Sequence, residues 1–359
     1  MLIRYLIHKM GYALLTLFGV VTIIFLLFNV LPGDPAKMML GQNQTAEQVK
    51  IVKQKYGFNK PLKVQYAYYL NDLLPISLHS KNSKSYTFLK PGKYTAIKLL
   101  TLSNTVVVLK LPYLRASFTK QGKPVSQVLK ETLPNTFILA LCAITIAVVL
   151  GVVLGIISAL KKDTWLDKTI QITSTLGMSV PSFFSAILFA WLFGFVLHKY
   201  TSLQMTGSLY ELDDFGEAMH IKWKNLILPA LVLGIRPLAV IIQLMRNSLL
   251  EVFNQDYIRT ARAKGLTEYQ IIKRHAIKNA LNPVITAVSG WFASMLAGAV
   301  FVEYIFGWNG LGKEIVNALN TLDLPVIMGA VVVIATLFII INIFVDLIYV
   351  WLDPKVKLQ

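Results

Sequence analysis

The chain has 359 residues, of which 55% are hydrophobic and 15% are charged, whereas soluble domains contain roughly 25% charged residues. This composition argues against a soluble enzyme and against a disordered chain. Lysine and arginine outnumber aspartate and glutamate by 35 to 18. In a soluble protein that excess would suggest nucleic-acid binding, but in a membrane protein basic residues collect in loops. We therefore expect a protein of the lipid bilayer that binds no nucleic acid.

Six stretches nearly free of charged residues predict six transmembrane helices, because each reaches the roughly 18–20 residues that cross the hydrocarbon core. Short alternating segments typical of a β-barrel are absent from the sequence, so the predicted fold class is an all-α polytopic membrane protein. The first stretch is longer than a signal-peptide core and predicts an uncleaved helix. The six stretches are 10–33, 132–160, 169–198, 225–245, 279–302 and 324–345.

The distribution of basic residues predicts the orientation in the membrane. With the N-terminus in the cytoplasm, most Lys and Arg residues of the short loops fall on the inner side, as the positive-inside rule requires. Both termini are then cytoplasmic. The basic residues left in the short outer loops are Lys199, Lys222, Lys224 and Lys313.

The predicted extracytoplasmic loop, 32–131, is too long for a plain connection. Thr45 and Gln48 form a capping-box pattern that opens one helix, and Pro61 opens a second. From about 78 to 118 the sequence is rich in Tyr, Thr, Val and Leu, which predicts strands. We expect a small α/β insert here, with a basic surface that faces either anionic headgroups or an acidic partner.

The cytoplasmic loop of about 247–282 has a clear helical pattern. Asp256 is placed to cap a short helix over 257–264, and Gly265 fits the position that ends such a helix. A glycine there allows the left-handed backbone that closes a tight turn.

A second helix follows the glycine turn. Thr267 and Gln270 form a capping-box pattern that opens a helix over 268–281. Small Ala261 and Ala263 would let another protein's surface approach closely. Taken alone, the loop is either such a docking protrusion or a positively charged, solvated segment.

At this loop the sequence resembles the membrane subunits of ABC importers, in the dipeptide/oligopeptide/nickel permease family. The stretch 255–267 is similar to that family's cytoplasmic coupling segment, although Arg259-Thr260-Ala261 stands where the general pattern has Glu-Ala-Ala. Further matches occur in the expected order along the chain. They lie at 31–35, 133–136, 306–312, 345–347 and 352–354.

The resemblance implies a type I ABC importer-like fold and a larger assembly. The partners would be a homologous second permease subunit, two cytoplasmic ABC ATPase subunits and an extracytoplasmic substrate-binding protein, in a bacterial cytoplasmic membrane. ATP and magnesium would bind the ATPases, so we expect this chain to bind no cofactor and to catalyse no reaction. The residues expected to form the ATPase-coupling loop are Asp256, Tyr257, Arg259, Thr260, Ala261, Ala263, Gly265 and Thr267.

Arg236 and Pro237 lie in the middle of the fourth predicted helix. A central arginine is costly in hydrocarbon and should face protein or water. It either pairs with an acid or carbonyl of a partner subunit or lines a substrate path. The segment 307–313 is close to a phosphate-binding loop, but Glu314 stands where that loop needs Ser or Thr. We therefore expect a turn there and no nucleotide site.

The resemblance predicts the permease subunit of an ATP-driven peptide importer, and the alternative is a stand-alone secondary transporter or channel. Dipeptides, oligopeptides, glutathione-like molecules and nickel chelates all remain open as substrates. No spacing of His, Cys, Asp or Glu in the sequence predicts a metal site. The predicted domains are an N-terminal helix over 1–31, an external loop domain over 32–131, a five-helix domain over 132–352 and a tail over 353–359.

Overall fold

The computed structural model describes residues 2–30, 34–40, 44–83, 85–90, 93–213 and 216–352. The predicted tail, 353–359, and residues 31–33 of the first family motif lie outside these ranges. The first half of the described chain contains helices α1 (Leu2–Val30), α2 (Pro35–Leu40), α3 (Ala46–Tyr56) and α4 (Leu62–Leu73), strands β1 (Ile76–Ser80), β2 (Ala96–Thr101) and β3 (Thr105–Lys110), and helix α5 (Val125–Leu160).

The second half adds two short strands and a further set of helices, two of which continue into π-helical turns. These elements are α6 (Trp165–Ser179), α7 (Ser182–Phe189) with a π-helical segment Ala190–Val196, α8 (His198–Thr201), β4 (Tyr210–Leu212), β5 (Met219–Ile221), α9 (Lys224–Phe253), α10 (Asp256–Ala263), α11 (Glu268–Ile271) with a π-helical segment Ile272–Ala276, α12 (Ile277–Ala280), α13 (Asn282–Gly298), α14 (Val300–Ile305), α15 (Leu311–Asn320) and α16 (Leu324–Leu352).

Among the described residues, four helices are long and apolar enough to cross a membrane: α1, α5, α9 and α16. They coincide with four of the six predicted stretches. The number rises to five if α6 and α7 together form one span. The predicted helix over 279–302 is divided among α12, α13 and α14. The predicted fold is therefore recovered as a mostly helical chain with several apolar helices.

The predicted helix over 169–198 is not continuous, because α6 and α7 meet at an angle of 106°. The break falls at Val180 and Pro181. Val180 is extended, with φ −77° and ψ 130°, as the residue before a proline prefers. Pro181 has no N–H to continue the α6 ladder and begins α7 instead.

The chain divides into two compact units, and one of them comprises Leu14–Glu131 and Asn317–Val333. The predicted capping box is confirmed, since Gln48 N donates to Thr45 Oγ1 (3.2 Å) and Thr45 N donates to Gln48 Oε1 (3.0 Å). Helix α4 begins directly after Pro61, as predicted. Phe25 and Tyr69 are buried in the apolar cluster of this unit, together with Val21, Ile24, Met328 and Val332.

Three strands form an antiparallel sheet in this unit, in the order β1–β3–β2. Leu78 of β1 and Leu100 of β2 both pair with Val107 of the central strand. Alternate residues of β3, namely Val106, Val108 and Lys110, are buried. The period of two expected for a strand with one covered face is therefore present.

The other unit comprises Met1–Ala13, Thr132–Val316 and Ile334–Gln359, and α9 runs through its core. Helix α5 approaches α9 at two glycines. A Cβ atom added to Gly151 would lie 2.6 Å from Ile241 Cγ2, and one added to Gly155 would lie 2.7 Å from Met245 Cβ. Small residues at these positions allow the two backbones to pack closely, as is common between membrane helices.

Candidate functional site

The predicted coupling loop begins directly after the long helix α9. Helix α10 starts at Asp256 itself, after Gln255, and no side chain caps it. The prediction that Asp256 caps this helix is therefore wrong. Its carboxylate is 96% exposed and lies 3.5 Å from Arg259 Nη1, in the first turn, where a negative charge favours the helix dipole.

The turn after α10 has the predicted conformation. Gly265 has φ +78°, and its N–H donates to the carbonyl of Arg262 (2.9 Å). Thr267 and Gln270 form the predicted capping box, with Thr267 N donating to Gln270 Oε1 at 3.1 Å. The predicted second helix is present as α11, a π-helical segment and α12.

Helix α10 has two distinct faces. Ile258 and Ala261 are buried and pack in the same cluster as Leu249 and Ile271. Ala261 is 6% exposed, so the prediction that it allows another protein to approach is wrong. Residues 258 and 261 are three positions apart and therefore share one side of the helix. The exposed residues of the predicted coupling set are Asp256, Tyr257, Arg259, Thr260, Ala263, Gly265 and Thr267.

Two polar contacts that sequence reasoning missed close the loop on itself. Arg262 Nε donates to Glu268 Oε1 (2.9 Å), and Arg262 Nη2 donates to Glu268 Oε2 (3.4 Å), across the glycine turn. The nearby carboxylate raises the pKa of Arg262 above its usual range. Asn279 Nδ2 donates to Tyr257 Oη (3.0 Å) and joins α12 to α10. These contacts hold both ends of α10 against the segment that follows it.

A buried ion pair joins three helices near the start of this loop. Arg246 of α9 donates from Nε to Asp167 Oδ1 (2.8 Å) and from Nη2 to Asp167 Oδ2 (2.7 Å). Ser158 of α5 also donates to Asp167 Oδ1, at 2.5 Å. Asp167 belongs to the first turn of α6. The bidentate geometry fixes both side chains, as is typical of arginine–carboxylate pairs.

Arg236 and Pro237 face different surroundings. Arg236 is exposed and lines a cavity of about 130 Å³, together with Gly177, Trp291 and Met295. In the part of the chain that the structure describes, its guanidinium has no hydrogen bond or ion pair. Pro237 is buried, and α9 continues through it. Only the arginine of the predicted pair therefore reaches the cavity.

Two of the family-like motifs meet in the structure. Trp308 is fully buried and donates from Nε1 to the carbonyl of Asn135 (3.1 Å), while Asn135 Nδ2 donates to the carbonyl of Asn309 (2.7 Å). Leu311 N donates to Thr136 Oγ1 (2.7 Å). Hydrogen bonds thus join the segments 133–136 and 306–312 in one structure.

The structure also explains why the segment 307–313 is no phosphate-binding loop. The buried carboxylate of Glu303 accepts hydrogen bonds from Gly312 N (2.6 Å) and Lys313 N (3.2 Å). These N–H groups would have to face a phosphate. A side chain of the chain itself already satisfies them. Among the described residues, no group of three or more His, Cys, Asp or Glu is placed to hold a metal ion.

Several known proteins are similar over almost the whole chain. The dipeptide transport system permease protein DppB of Alkalihalophilus pseudofirmus is 31% identical, with 99% of this chain and 100% of that protein covered. A putative peptide permease protein of Brucella suis biovar 1 is 32% identical, with 99% of each covered. The probable D,D-dipeptide transport system permease protein DdpB of Escherichia coli is 30% identical, with 94% and 93% covered.

Among solved structures, an inward-facing conformation of the MetNI methionine ABC transporter matches with a TM-score of 0.50 and 16% identity, covering 63% of this chain and 97% of that chain. This likeness concerns the fold. Residues 1–84 match the model of the N-terminal part of binding-protein-dependent transport system membrane components. Residues 151–358 match the model of the binding-protein-dependent transport system inner membrane component. The chain therefore belongs to the family of binding-protein-dependent transport system inner membrane components.

Proposed function

We propose that the chain is the permease subunit of an ATP-driven peptide importer in the bacterial cytoplasmic membrane. The family and the names of the relatives support the activity and the substrate class. In this proposal the chain crosses the membrane six times, with α6–α7 and α12–α14 each serving as one span. Both termini are cytoplasmic, and the three-stranded sheet lies outside.

The exposed face of α10 is the observation that carries this proposal. Its inner face is packed and hydrogen bonds hold both of its ends, yet the side chains of Tyr257, Arg259 and Thr260 are exposed in the described chain. In the proposed assembly, one of two ATPase subunits receives this face. The second permease subunit and an external substrate-binding protein complete the importer.

The buried ion pair gives the proposed coupling a mechanical route. Helix α10 directly follows α9, and Arg246 of α9 holds Asp167 of α6 and, through it, Ser158 of α5. A displacement of α10 by the ATPase would therefore pull on three helices that are already tied together. ATP shifts the conformational equilibrium because the two states of the permease bind the ATP-loaded ATPase with different affinities.

The charge-reversing substitution Arg259→Glu tests the docking face. The tagged chain is purified from its native membrane, and the amount of ATPase per chain is measured by mass spectrometry. We expect Arg259→Glu to lose the ATPase while the chain folds normally, because this side chain is 72% exposed. Lys199→Glu makes the same charge change on the proposed outer side and should keep the ATPase. Equal recovery with both variants would contradict the proposal.

We further propose that Arg236 lines the substrate path and attracts the carboxylate of a peptide. Its exposure, its cavity and its place in the middle of α9 support this role. Arg236→Gln should raise the KM for peptide uptake in the assembled importer, whereas Arg236→Lys, which keeps the charge, should largely preserve it. Normal assembly together with normal uptake kinetics in Arg236→Gln would remove Arg236 from the path.

A further inference from the structure

The unit that contains the three-stranded sheet also contains a pocket. The residues that line this pocket belong neither to α10 nor to the Arg236 cavity. The volume of the pocket is about 320 Å³, at the lower end of the roughly 300–1,000 Å³ found for small-molecule sites. Tyr56, Phe58 and Phe118 line it as a group of touching rings, with centroids 5.9–6.3 Å apart. Tyr86 and Tyr113 add two further aromatic side chains.

The charged side chains that line this pocket are all basic, and the guanidinium of one of them, Arg115, is paired with the buried carboxylate of Asp72. Lys90, Lys93 and Arg115 line it, and none of the residues that line it is Asp or Glu. Lys90 is exposed, whereas Lys93 and Arg115 are partly buried. A concave surface that combines one sign of charge with apolar walls concentrates ligands of the opposite charge.

Lys93 is held by rings instead of by a carboxylate. Its Nζ lies 4.8 Å from the ring centroid of Tyr86, 4.6 Å from that of Tyr94 and 4.9 Å from that of Tyr113. Within the described ranges, no acidic side chain lies within ion-pair distance of it. Burial lowers the pKa of Lys93, although Asp72 opposes this shift. Lys93 lines the pocket without an ion pair among the described residues, so its ammonium group is available to an anionic ligand.

A buried carboxylate beneath the pocket keeps the surrounding groups in position. Asp72 accepts hydrogen bonds from Tyr86 Oη (3.1 Å) and Tyr94 Oη (3.1 Å) and from Arg115 Nε (3.0 Å). Arg115 has the unusual backbone angle φ +66°, and its carbonyl accepts from Val125 N at 3.0 Å. Such a conformation persists only where the surroundings fix it.

We infer that this pocket is a binding site for a small carboxylate that carries an apolar or aromatic group. Lys93 and Arg115 would face the carboxylate, and the rings of Tyr56, Phe58 and Phe118 would cover the apolar part. Such a ligand would exchange the water around its carboxylate for basic side chains. It would exchange the water around its apolar group for aromatic rings. This inference concerns binding by the unit that contains the three-stranded sheet, and it does not depend on the proposed function.

Calorimetric titration of the full-length chain in detergent tests this inference, with N-acetyl-alanyl-phenylalanine as the probe. The same peptide with a C-terminal amide is the matched control ligand, and it needs no change in the protein. We expect the free carboxylate to bind at least tenfold more tightly than the amide. Equal affinities, or no binding of the carboxylate at millimolar concentration, would overturn the inference.

Two variants locate the binding. Lys93→Gln should weaken binding of the carboxylate at least tenfold, whereas Lys98→Gln, on the exposed surface of the sheet, should leave it unchanged. Wild-type affinity in Lys93→Gln, or an equal loss in both variants, would assign the site elsewhere. The titration contains no ATPase, so its outcome is independent of transport.

Discussion

The predicted coupling segment at 256–280 and the turn at 303–313 both contain stretches that resemble permease motifs, yet the two segments differ in which residues they bury. The turn at 303–313 encloses Trp308 of its motif and also Glu303, which precedes the motif. The coupling segment buries only small or aliphatic residues, such as Ile258 and Ala261, and exposes its charged ones.

This difference separates two kinds of motif. A buried motif whose polar atoms bond within the chain stabilises the fold, because each enclosed donor needs a partner. An exposed motif on a braced helix leaves its side chains available to another molecule. Substitutions in the turn at 303–313 should therefore reduce the stability of the chain. Substitutions on the exposed face of the coupling segment should reduce its binding to a partner.

Trp308→Ala should have the largest effect on stability. The indole is fully buried and donates a hydrogen bond to Asn135, and removing such a ring costs about 3–5 kcal/mol. The free energy of unfolding of the chain in detergent measures this loss. Trp223→Ala is the control, because Trp223 is 61% exposed and its replacement should change stability by less than about 0.5 kcal/mol. Similar losses in both variants would contradict the enclosed turn.

Asp167→Asn should have the next largest effect on stability, because it removes the charge that pairs Asp167 with Arg246 just before the coupling segment. Hydrogen bonds to charged groups contribute about 1.5–3 kcal/mol, and the Asp167 carboxylate is 4% exposed. We expect a loss in that range in the same unfolding measurement. Asp163→Asn is the matched control, since the Asp163 side chain is 80% exposed. If Asp167→Asn unfolds like wild type, the ion pair does not tie the helices together.

Gly265→Ala should cost about 1–2 kcal/mol, because an L-residue is strained in the left-handed region. The backbone has φ +78°, and a Cβ there would meet nothing within 4 Å, so the cost is conformational alone. Gly290→Ala should instead increase stability, since Gly290 lies within α13 and alanine stabilises a helix by about 0.5–1 kcal/mol relative to glycine. Thermal unfolding midpoints of the two variants should shift in opposite directions. A shift of both in one direction would dismiss the strained turn.

Arg262→Gln should have the smallest effect on stability, because exposed ion pairs contribute about 0.2–1 kcal/mol. Arg262 and Glu268 are 46% and 63% exposed. A double-mutant cycle with Glu268→Gln measures the coupling between the two side chains. A coupling energy above about 2 kcal/mol would contradict this expectation, because it would show that the exposed pair contributes as much as a buried hydrogen bond to a charged group.

Local signals in the sequence predicted the capping boxes at Thr45 and Thr267 and the turn at Gly265, because each depends on residues a few positions apart. Long apolar stretches likewise predicted α1, α5, α9 and α16. The break at Pro181 was missed, since an uncharged stretch measures length and carries no information about direction. Burial of Ala261 was missed because the short helix has too few residues to indicate which face is covered.

The ion pair of Asp167 with Arg246 and the junction of Asn135 with Trp308 had no signal in one sequence. Their partners are 79 and 173 residues apart, and only the packing of helices brings them together. The pocket at Lys93 was hidden for the same reason. Its rings come from several separate segments, and each ring alone looks like an ordinary core or surface residue.

The ion pair between Asp167 and Arg246 also constrains how the chain is made. Its two halves are 79 residues apart, so at roughly 5–20 residues per second a ribosome needs about 4–16 s to supply the arginine after the aspartate. During that interval the carboxylate lacks the arginine that pairs with it in the folded chain. The end of α5 and the start of α6, which meet at Asp167, therefore acquire their final packing only after α9 has been synthesised.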